Sequence, residues 1–271
     1  FGPFADVAGS GALQYLLSFF DKYLKGKDIS LPVIRYFRMG SNTWHNAGAW
    51  PLPNTGWQRF YLHSRGGANS NSGNGSLTRN EPGNEPADKY TYNPLDPVFT
   101  AGGRGGVVEN GFLYGPVDQV YAARRRDVLC YATPELEHDM EVTGPVELHL
   151  YASSSCVETD FTAKLVDVYP DGKAFNVADG IVRAQYRNTF SKAELLKPGD
   201  CYEFVIRLGH ISQLFKSGHR IRIDVTSSNF PTFDRNMNTG NPIGEDAKGI
   251  PAVQTIYHRS DYASYIDLPV I

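Results

Sequence analysis

One stretch of the chain carries a helical stripe, and most of the remainder alternates in the manner of strands. Over residues 11–24 the apolar side chains Leu13, Leu16, Leu17, Phe20 and Leu24 recur at helical spacing, so one face of the predicted helix is greasy. Ser10 can cap its start, Lys22 and Lys25 suit its C-terminal dipole, and Gly26 is placed to stop it. A helix this short is stable only against a partner surface, supplied by the rest of this chain or by a domain before residue 1. After Pro32 the pattern changes to strands. Residues 59–63 predict a short one, and 66–88, rich in Gly, Asn, Ser and Pro, predict a long solvated loop. Residues 146–151 alternate apolar and polar, and 161–169 run into the turn Pro170-Asp171-Gly172-Lys173. Further strands are expected at 182–186, at 202–208 after the Pro198-Gly199-Asp200 turn, at 219–226, at 256–258 and at 265–271. Within 219–226, Ile221, Ile223 and Val225 face one way and Arg220, Arg222 and Asp224 the other. Many short strands with regular turns and one helix predict a mainly β fold, a jelly-roll β-sandwich preceded by one α-helix. No repeat of 20–50 residues is visible, which argues against a propeller or solenoid.

Composition narrows the partners. The 271 residues fit one large β domain or two small ones. Lys and Arg number 26 against 29 Asp and Glu, a net charge of −3, which argues against nucleic acid or an acidic membrane held by a broad basic surface. The 27 Gly and 17 Pro fall short of a low-complexity share, and 16 Tyr with 15 Phe supply ample core, so intrinsic disorder is excluded. Cys130, Cys156 and Cys201 lie far apart and their odd number completes no disulfide framework; they read as small buried apolar residues. The longest apolar stretches are too short for a transmembrane helix. Phe1-Gly2-Pro3-Phe4 lacks a start methionine, a basic n-region and an apolar h-region, and reads as a cut inside a longer protein rather than a signal peptide. A cytoplasmic location is expected. Asn74-Gly75-Ser76 matches a glycosylation acceptor, a triplet that arises by chance, and nothing else implies secretion.

Catalytic motifs are wanting. No Gly-x-Ser-x-Gly elbow occurs; the nearest look-alike, Gly9-Ser10-Gly11, reads better as a helix cap. HExxH, P-loop and Rossmann glycine patterns are missing as well. The seven His are scattered; His149 sits in an alternating strand and His219 begins one, positions that suit structural hydrogen bonds. His138 and Asp139 are adjacent, which gives no charge-relay geometry. Asp160, Lys164, Asp167, Arg183, Arg220, Arg222 and Asp224 place charges in or beside strands, where cross-strand ion pairs are expected. Gly102-Gly103-Arg104-Gly105-Gly106 is a glycine loop that reads as a turn. On these residues alone the chain is a non-catalytic β module with no cofactor or metal.

Some strings are too long and irregular to be generic. The run from Thr159 to Gly172 contains Thr-Asp-Phe-Thr-Ala-Lys-Leu-Val-Asp-Val-Tyr-Pro-Asp-Gly and leads to Asp179-Gly180-Ile181-Val182-Arg183. Further on come Gly218-His219-Arg220-Ile221-Arg222-Ile223, Ser227-Ser228-Asn229-Phe230-Pro231, Asp234-Arg235-Asn236 and Asn238-Thr239-Gly240. Near the start, Phe19-Phe20-Asp21-Lys22-Tyr23-Leu24-Lys25-Gly26 precedes Met39-Gly40, Trp44 and Trp50-Pro51. In this order, across essentially the whole chain, they resemble the C-terminal part of the CocE/NonD serine hydrolases, the family of cocaine esterase, α-amino acid ester hydrolases and X-prolyl dipeptidyl-peptidases. The resemblance implies that residues 1–30 are the C-terminal helix of an α/β-hydrolase domain and 31–271 an X-Pro dipeptidyl-peptidase C-terminal-like jelly roll with a galactose-binding-domain-like fold. The whole Ser-Asp-His triad would lie in the parent, so no catalytic residue is assigned here. The implied partners are the parent's hydrolase and cap domains and a small-molecule ester or peptide substrate; an orphaned helix face would drive self-association into a homo-oligomer. Between Asp96-Pro97 and Gly115-Pro116-x-Asp118-Gln119, the family's loop near the acyl pocket would place Gly105, Gly106, Val107 and Val108 as substrate-pocket residues, glycine-rich where bulkier apolar residues are usual. The alternative is a carbohydrate- or ligand-binding β-sandwich module, against which the aromatics are spread through strands as core residues would be.

Overall fold

The computed structural model describes residues 11–104 and 114–271. Helix α1 (Ala12–Lys25) starts one residue after Gly11 and stops at Gly26, whose left-handed φ of 65° lets its N–H return to the Asp21 carbonyl. Lys22 and Lys25 fall in the last turn, as the dipole favours. The expected cap, Ser10, lies outside the described residues. No helix among those described is long and apolar enough to cross a membrane.

β1 (Ile34–Arg38) and β2 (Thr43–Ala47) form a separate antiparallel hairpin. The remaining strands are β3 (Gly56–His63), β4 (Ser76–Thr78), β5 (Asp88–Tyr92), β6 (Leu129–Ala132), β7 (Met140–Ser154), β8 (Asp160–Val168), β9 (Ala174–Arg183), β10 (Tyr202–Phe215), β11 (Arg220–Thr226), β12 (Ala252–Arg259), β13 (Tyr262–Ala263) and β14 (Tyr265–Val270). They join in the order β13-β12-β7-β14-β3-β4-β6-β11-β8-β9, with β10 beside β7 and β5 beside β12. Every ladder among these strands is antiparallel except the single β4–β6 position, Ser76 beside Ala132. This one path folds over at β4, so that β8 and β10 face each other across the core, with Phe161 against Phe204 at 4.7 Å between ring centroids. The result is the β-sandwich that the alternation predicts.

β11 shows the rule most plainly. Ile221, Ile223 and Val225 are fully buried in the core, as their spacing requires. The opposite face is covered too: Arg222 and Asp224 are buried and pair with each other (Nε to Oδ1, 2.7 Å). The segment that crosses this face carries its own small apolar cluster of Val98, Ala123, Val128 and Cys130. Cys130 and Cys156 are buried and Cys201 half-buried, all unpaired.

Two expectations need correction. Residues 66–88 are only in part a solvated loop: 71–74, 79–81 and 83–84 are exposed, but the segment contains β4, and Ala68, Ser70, Leu77 and Asp88 are buried. Polar groups do the anchoring there, since the Cys130 N–H donates to the Ala68 carbonyl (2.9 Å) and the Ser70 N–H to the Val128 carbonyl (2.7 Å), which covers the edge of β6. The strand placed at 182–186 lies earlier, at β9, and residues 184–186 form a 3-10 turn. Its buried positions include Ala174, Asn176 and Ala178, too small or polar to announce a strand.

Ile223 lies in register with Leu165 of β8 and Tyr131 of β6, with no accessible surface. Ile223→Asp puts an unpaired charge at that point and is expected to cost about 3–5 kcal/mol, by analogy with broken buried pairs. Urea unfolding checks it; an unchanged midpoint would mean the strand faces the other way.

Candidate functional site

Histidine–carboxylate pairs recur in the fold, and their geometry is that of structural joints. His219 Nδ1 meets Asp167 Oδ1 at 2.8 Å, His63 Nδ1 meets Glu85 Oε1 at 2.7 Å, and His258 Nε2 meets Asp88 Oδ2 at 2.9 Å. The last brings a serine as well, but Ser64 Oγ donates to the same carboxylate (2.7 Å) rather than to the imidazole. His258 is fully buried, out of a substrate's reach; His219 is mostly buried but lines a cavity with Asp167, Tyr169 and Gln213, and His63 is half-buried. In a working triad the imidazole stands between Ser and Asp; at Asp88 the carboxylate is the centre. Ala68 N–H (2.9 Å) and Tyr131 OH (2.8 Å) complete its set of donors. Burial pushes the Asp88 carboxyl up, but the bonds from His258, Ala68, Ser64 and Tyr131 outweigh it and hold the carboxyl below the usual range. His149 pairs with Glu203 (2.7 Å) and stacks on Tyr265 at 4.5 Å. Asp139 accepts the Ser217 N–H (2.8 Å), away from any relay.

The strand charges are mostly paired, but among those named only Asp160 and Arg183 form the expected ion pair between two strands, while Arg222 and Asp224 pair within β11. Asp160 and Arg183 sit opposite each other on β8 and β9 and form two bonds of 3.0 and 3.1 Å. Arg220 bonds Glu135 (2.9 Å). Lys164 departs from the pattern: its Nζ donates to Gln119 Oε1 at 3.2 Å, and desolvation lowers its pKa.

Two surfaces suit a larger assembly. The first is α1, none of whose residues is buried. Leu13, Leu16, Leu17, Phe20 and Leu24 are 44–76% exposed, the whole predicted stripe. The helix leans on the β1–β2 hairpin by one edge, where the Arg35 guanidinium lies over Tyr15 (4.9 Å) and Trp44 (4.8 Å). A stripe this large is rarely left bare.

The second is the stem of the loop that carries Gly105, Gly106, Val107 and Val108. Those four residues lie outside the described ones. Their stem is pinned from both sides: Gly103 and Gly115 exchange N–H···O bonds of 2.9 Å. Asn176 of β9 accepts from Val117 N–H (2.7 Å) and donates to the Gly115 carbonyl (3.2 Å), and Gln119 Nε2 donates to the Ala101 carbonyl (2.8 Å). Gly102, at φ 69°, packs so closely that a Cβ would run into the Gly115 carbonyl oxygen. Arg104 donates to the Leu208 carbonyl at the bulge of β10. Sequence reading gave Asn176 no role and Gln119 only that of a landmark, because single amides carry no periodic signal.

The outer face of β14 and its neighbours holds Tyr61, His149, Tyr151 and Tyr265, but these rings serve one another. Tyr265 is stacked by His149 and lies under the Arg59 guanidinium at 3.6 Å. A sugar platform needs an open ring face.

Comparison with known proteins bears on these surfaces. The model of the X-Pro dipeptidyl-peptidase C-terminal non-catalytic domain matches residues 28–267. Cocaine esterase of Rhodococcus sp. (strain MB1 Bresler) is 45% identical over 259 residues, covering 94% of this chain and 45% of the esterase. Among solved structures, an aminopeptidase from the marine sediment archaeon Thaumarchaeota archaeon superposes with a TM-score of 0.84 at 28% identity, over 97% of this chain and 44% of that one. An α-amino acid ester hydrolase gives 0.82 at 28% identity, over 94% and 44%. The chain thus spans less than half the length of these relatives.

The Asp88 cluster sets an acid limit. A carboxyl held below its unfolded value stabilises fully above about pH 4, and that contribution is lost as pH falls through the folded value. Asp88→Asn turns one acceptor into a donor among donors and is expected to cost about 1.5–3 kcal/mol at pH 7, shrinking toward pH 3. Urea titrations at both pH values check this; an equal cost at both would rule out the carboxylate as the cause.

Proposed function

The chain belongs to the family of X-Pro dipeptidyl-peptidase C-terminal non-catalytic domains, and on that footing we propose that its parent is a CocE/NonD-type serine hydrolase, an ester hydrolase or X-Pro dipeptidyl-peptidase, whose catalytic domain this segment braces and whose substrate pocket it helps to shape. In this reading residues 1–30 close the α/β-hydrolase domain and 31–271 are the jelly roll. The parent works in the cytoplasm on a small-molecule ester or peptide. Its serine attacks the carbonyl carbon, a histidine takes the hydroxyl proton and returns it to the leaving alcohol or amine, and water releases the acid. None of that machinery is assigned to this chain.

The observation that carries the reading is the open apolar stripe of α1. Burying each of its large side chains stabilises by about 1.5–3 kcal/mol, and only a second surface supplies that burial. The pinned stem at Gly103 and Gly115 supports the second half of the reading, because it would present Gly105–Val108 from a rigid base.

Two measurements test it. The 271-residue chain alone is expected to hydrolyse neither nitrophenyl esters nor X-Pro nitroanilides; turnover that survives repurification and is blocked by a serine-directed phosphonate would contradict the assignment. Hydrogen exchange on the same chain, at dilution where it is monomeric, is expected to find residues 13–24 weakly protected, and strongly protected once the upstream hydrolase region is joined. Strong protection in the isolated monomer would show that the stripe needs no catalytic domain.

A further inference from the structure

A cavity of about 320 Å³ lies under residues 234–246, where the loop after β11 folds back over the start of β8 and the end of β9. Glu158 lines it and is only 3% exposed. Glu158 Oε1 accepts from the Thr159 N–H (2.9 Å), from Asn236 Nδ2 (3.3 Å) and from the Gln185 N–H (3.4 Å). Its Oε2, equally buried, has no hydrogen-bond partner. Buried carboxylate oxygens are rarely left so, and each exception asks for an explanation.

The surrounding charges say what would fill the gap. Asp160, two residues on from Glu158, takes both bonds of Arg183 and a further one from Asn236 Nδ2 (2.7 Å), so the guanidinium is matched before it reaches the cavity. Arg235 donates to the Pro94 carbonyl (3.0 Å) and lies over Phe230 at 5.4 Å. Asp234 stands exposed at the rim, and Asp246 accepts from Thr239 and Asn241. Carboxylates thus outnumber guanidinium groups around the cavity. No group of three or more His, Cys, Asp or Glu among the described residues is placed to hold a metal ion. Met237, Phe230 and Ile243 add an apolar side for a short carbon chain.

We propose that this cavity binds a small organic cation, a primary ammonium whose N–H donates to Glu158 Oε2. A quaternary ammonium has no N–H to give, and a neutral alcohol leaves the excess negative charge unmet. Burial, reinforced by the nearby Asp160 charge, raises the Glu158 carboxyl to about 7. The cation therefore binds the ionised carboxylate and displaces its proton.

The test follows butylammonium binding to the 271-residue chain by backbone-amide NMR at pH 6 and pH 8, with butanol as the neutral isostere. Only the ionised form competes for the cation, so Kd is expected to fall about tenfold between the two pH values, with shifts confined to amides around Gln185, Asn236 and Gly240. Butanol is expected to leave those amides unmoved, and Glu158→Gln to weaken binding and flatten the pH dependence. A pH-independent Kd in the unsubstituted chain, equal binding of butanol, shifts elsewhere or undiminished binding by a folded Glu158→Gln chain would each overturn the proposal. The unsubstituted chain settles the matter even if the variant fails to fold.

Discussion

The corner where this sandwich turns over depends on one buried carboxylate. β4 is three residues long and meets β6 at a single ladder position, too little to hold two layers in register. Asp88 adds to the backbone bonds that residues 68–75 make to the edge of β6. It opens β5, opposite Ile256 of β12, and collects donors from Ser64, from the Ala68 backbone, from Tyr131 of β6 and from His258 of β12. Strands from both sides of the fold and the irregular chain between β3 and β4 thus converge on two oxygen atoms. An ion taken out of water is stable there only because its bonds are all made at once, so the corner forms as a unit or not at all.

That dependence explains what could be read from the sequence and what could not. β11 was legible in every residue, because Ile221, Ile223 and Val225 are branched, apolar and spaced by two. The apolar stripe of α1 and its glycine stop were equally plain. The 66–88 segment was not, since it is anchored by backbone bonds and by Asp88, and a sequence rich in Gly, Asn and Ser looks the same whether its polar groups meet water or protein. β9 hid for a related reason: Asn176 is buried to bind a loop, not to fill a core. Glu158 gave no signal at all, being an isolated acid between two strands. The family itself was legible through long irregular strings, which constrain many loops at once.

Buried polar groups in this protein therefore fall into two kinds. Asp88, and Asp160 with Arg183, are satisfied and fix the fold. Glu158 keeps one oxygen unmet beside a cavity, an arrangement that costs stability when the group ionises. Asp179 Oδ1 is likewise buried without a partner, so it is the adjoining cavity, not the unmet oxygen alone, that sets Glu158 apart.

The same economy separates the two outward surfaces. α1 offers apolar area with little internal support: none of its residues is buried, and it meets the hairpin by one edge, with Arg35 over Tyr15. The loop stem is the reverse: Asn176, Gln119 and the Gly103–Gly115 pair fix it to β9 before any partner arrives. A surface meant to hold two domains together gains from area and tolerates adjustment. A surface meant to shape a pocket gains from being fixed in advance, because every ångström of play is disorder that binding must remove. Apolar burial is non-directional and hydrogen bonds are not, so under the proposed reading a greasy helix would suit a brace and a stem held by amides would suit a pocket loop.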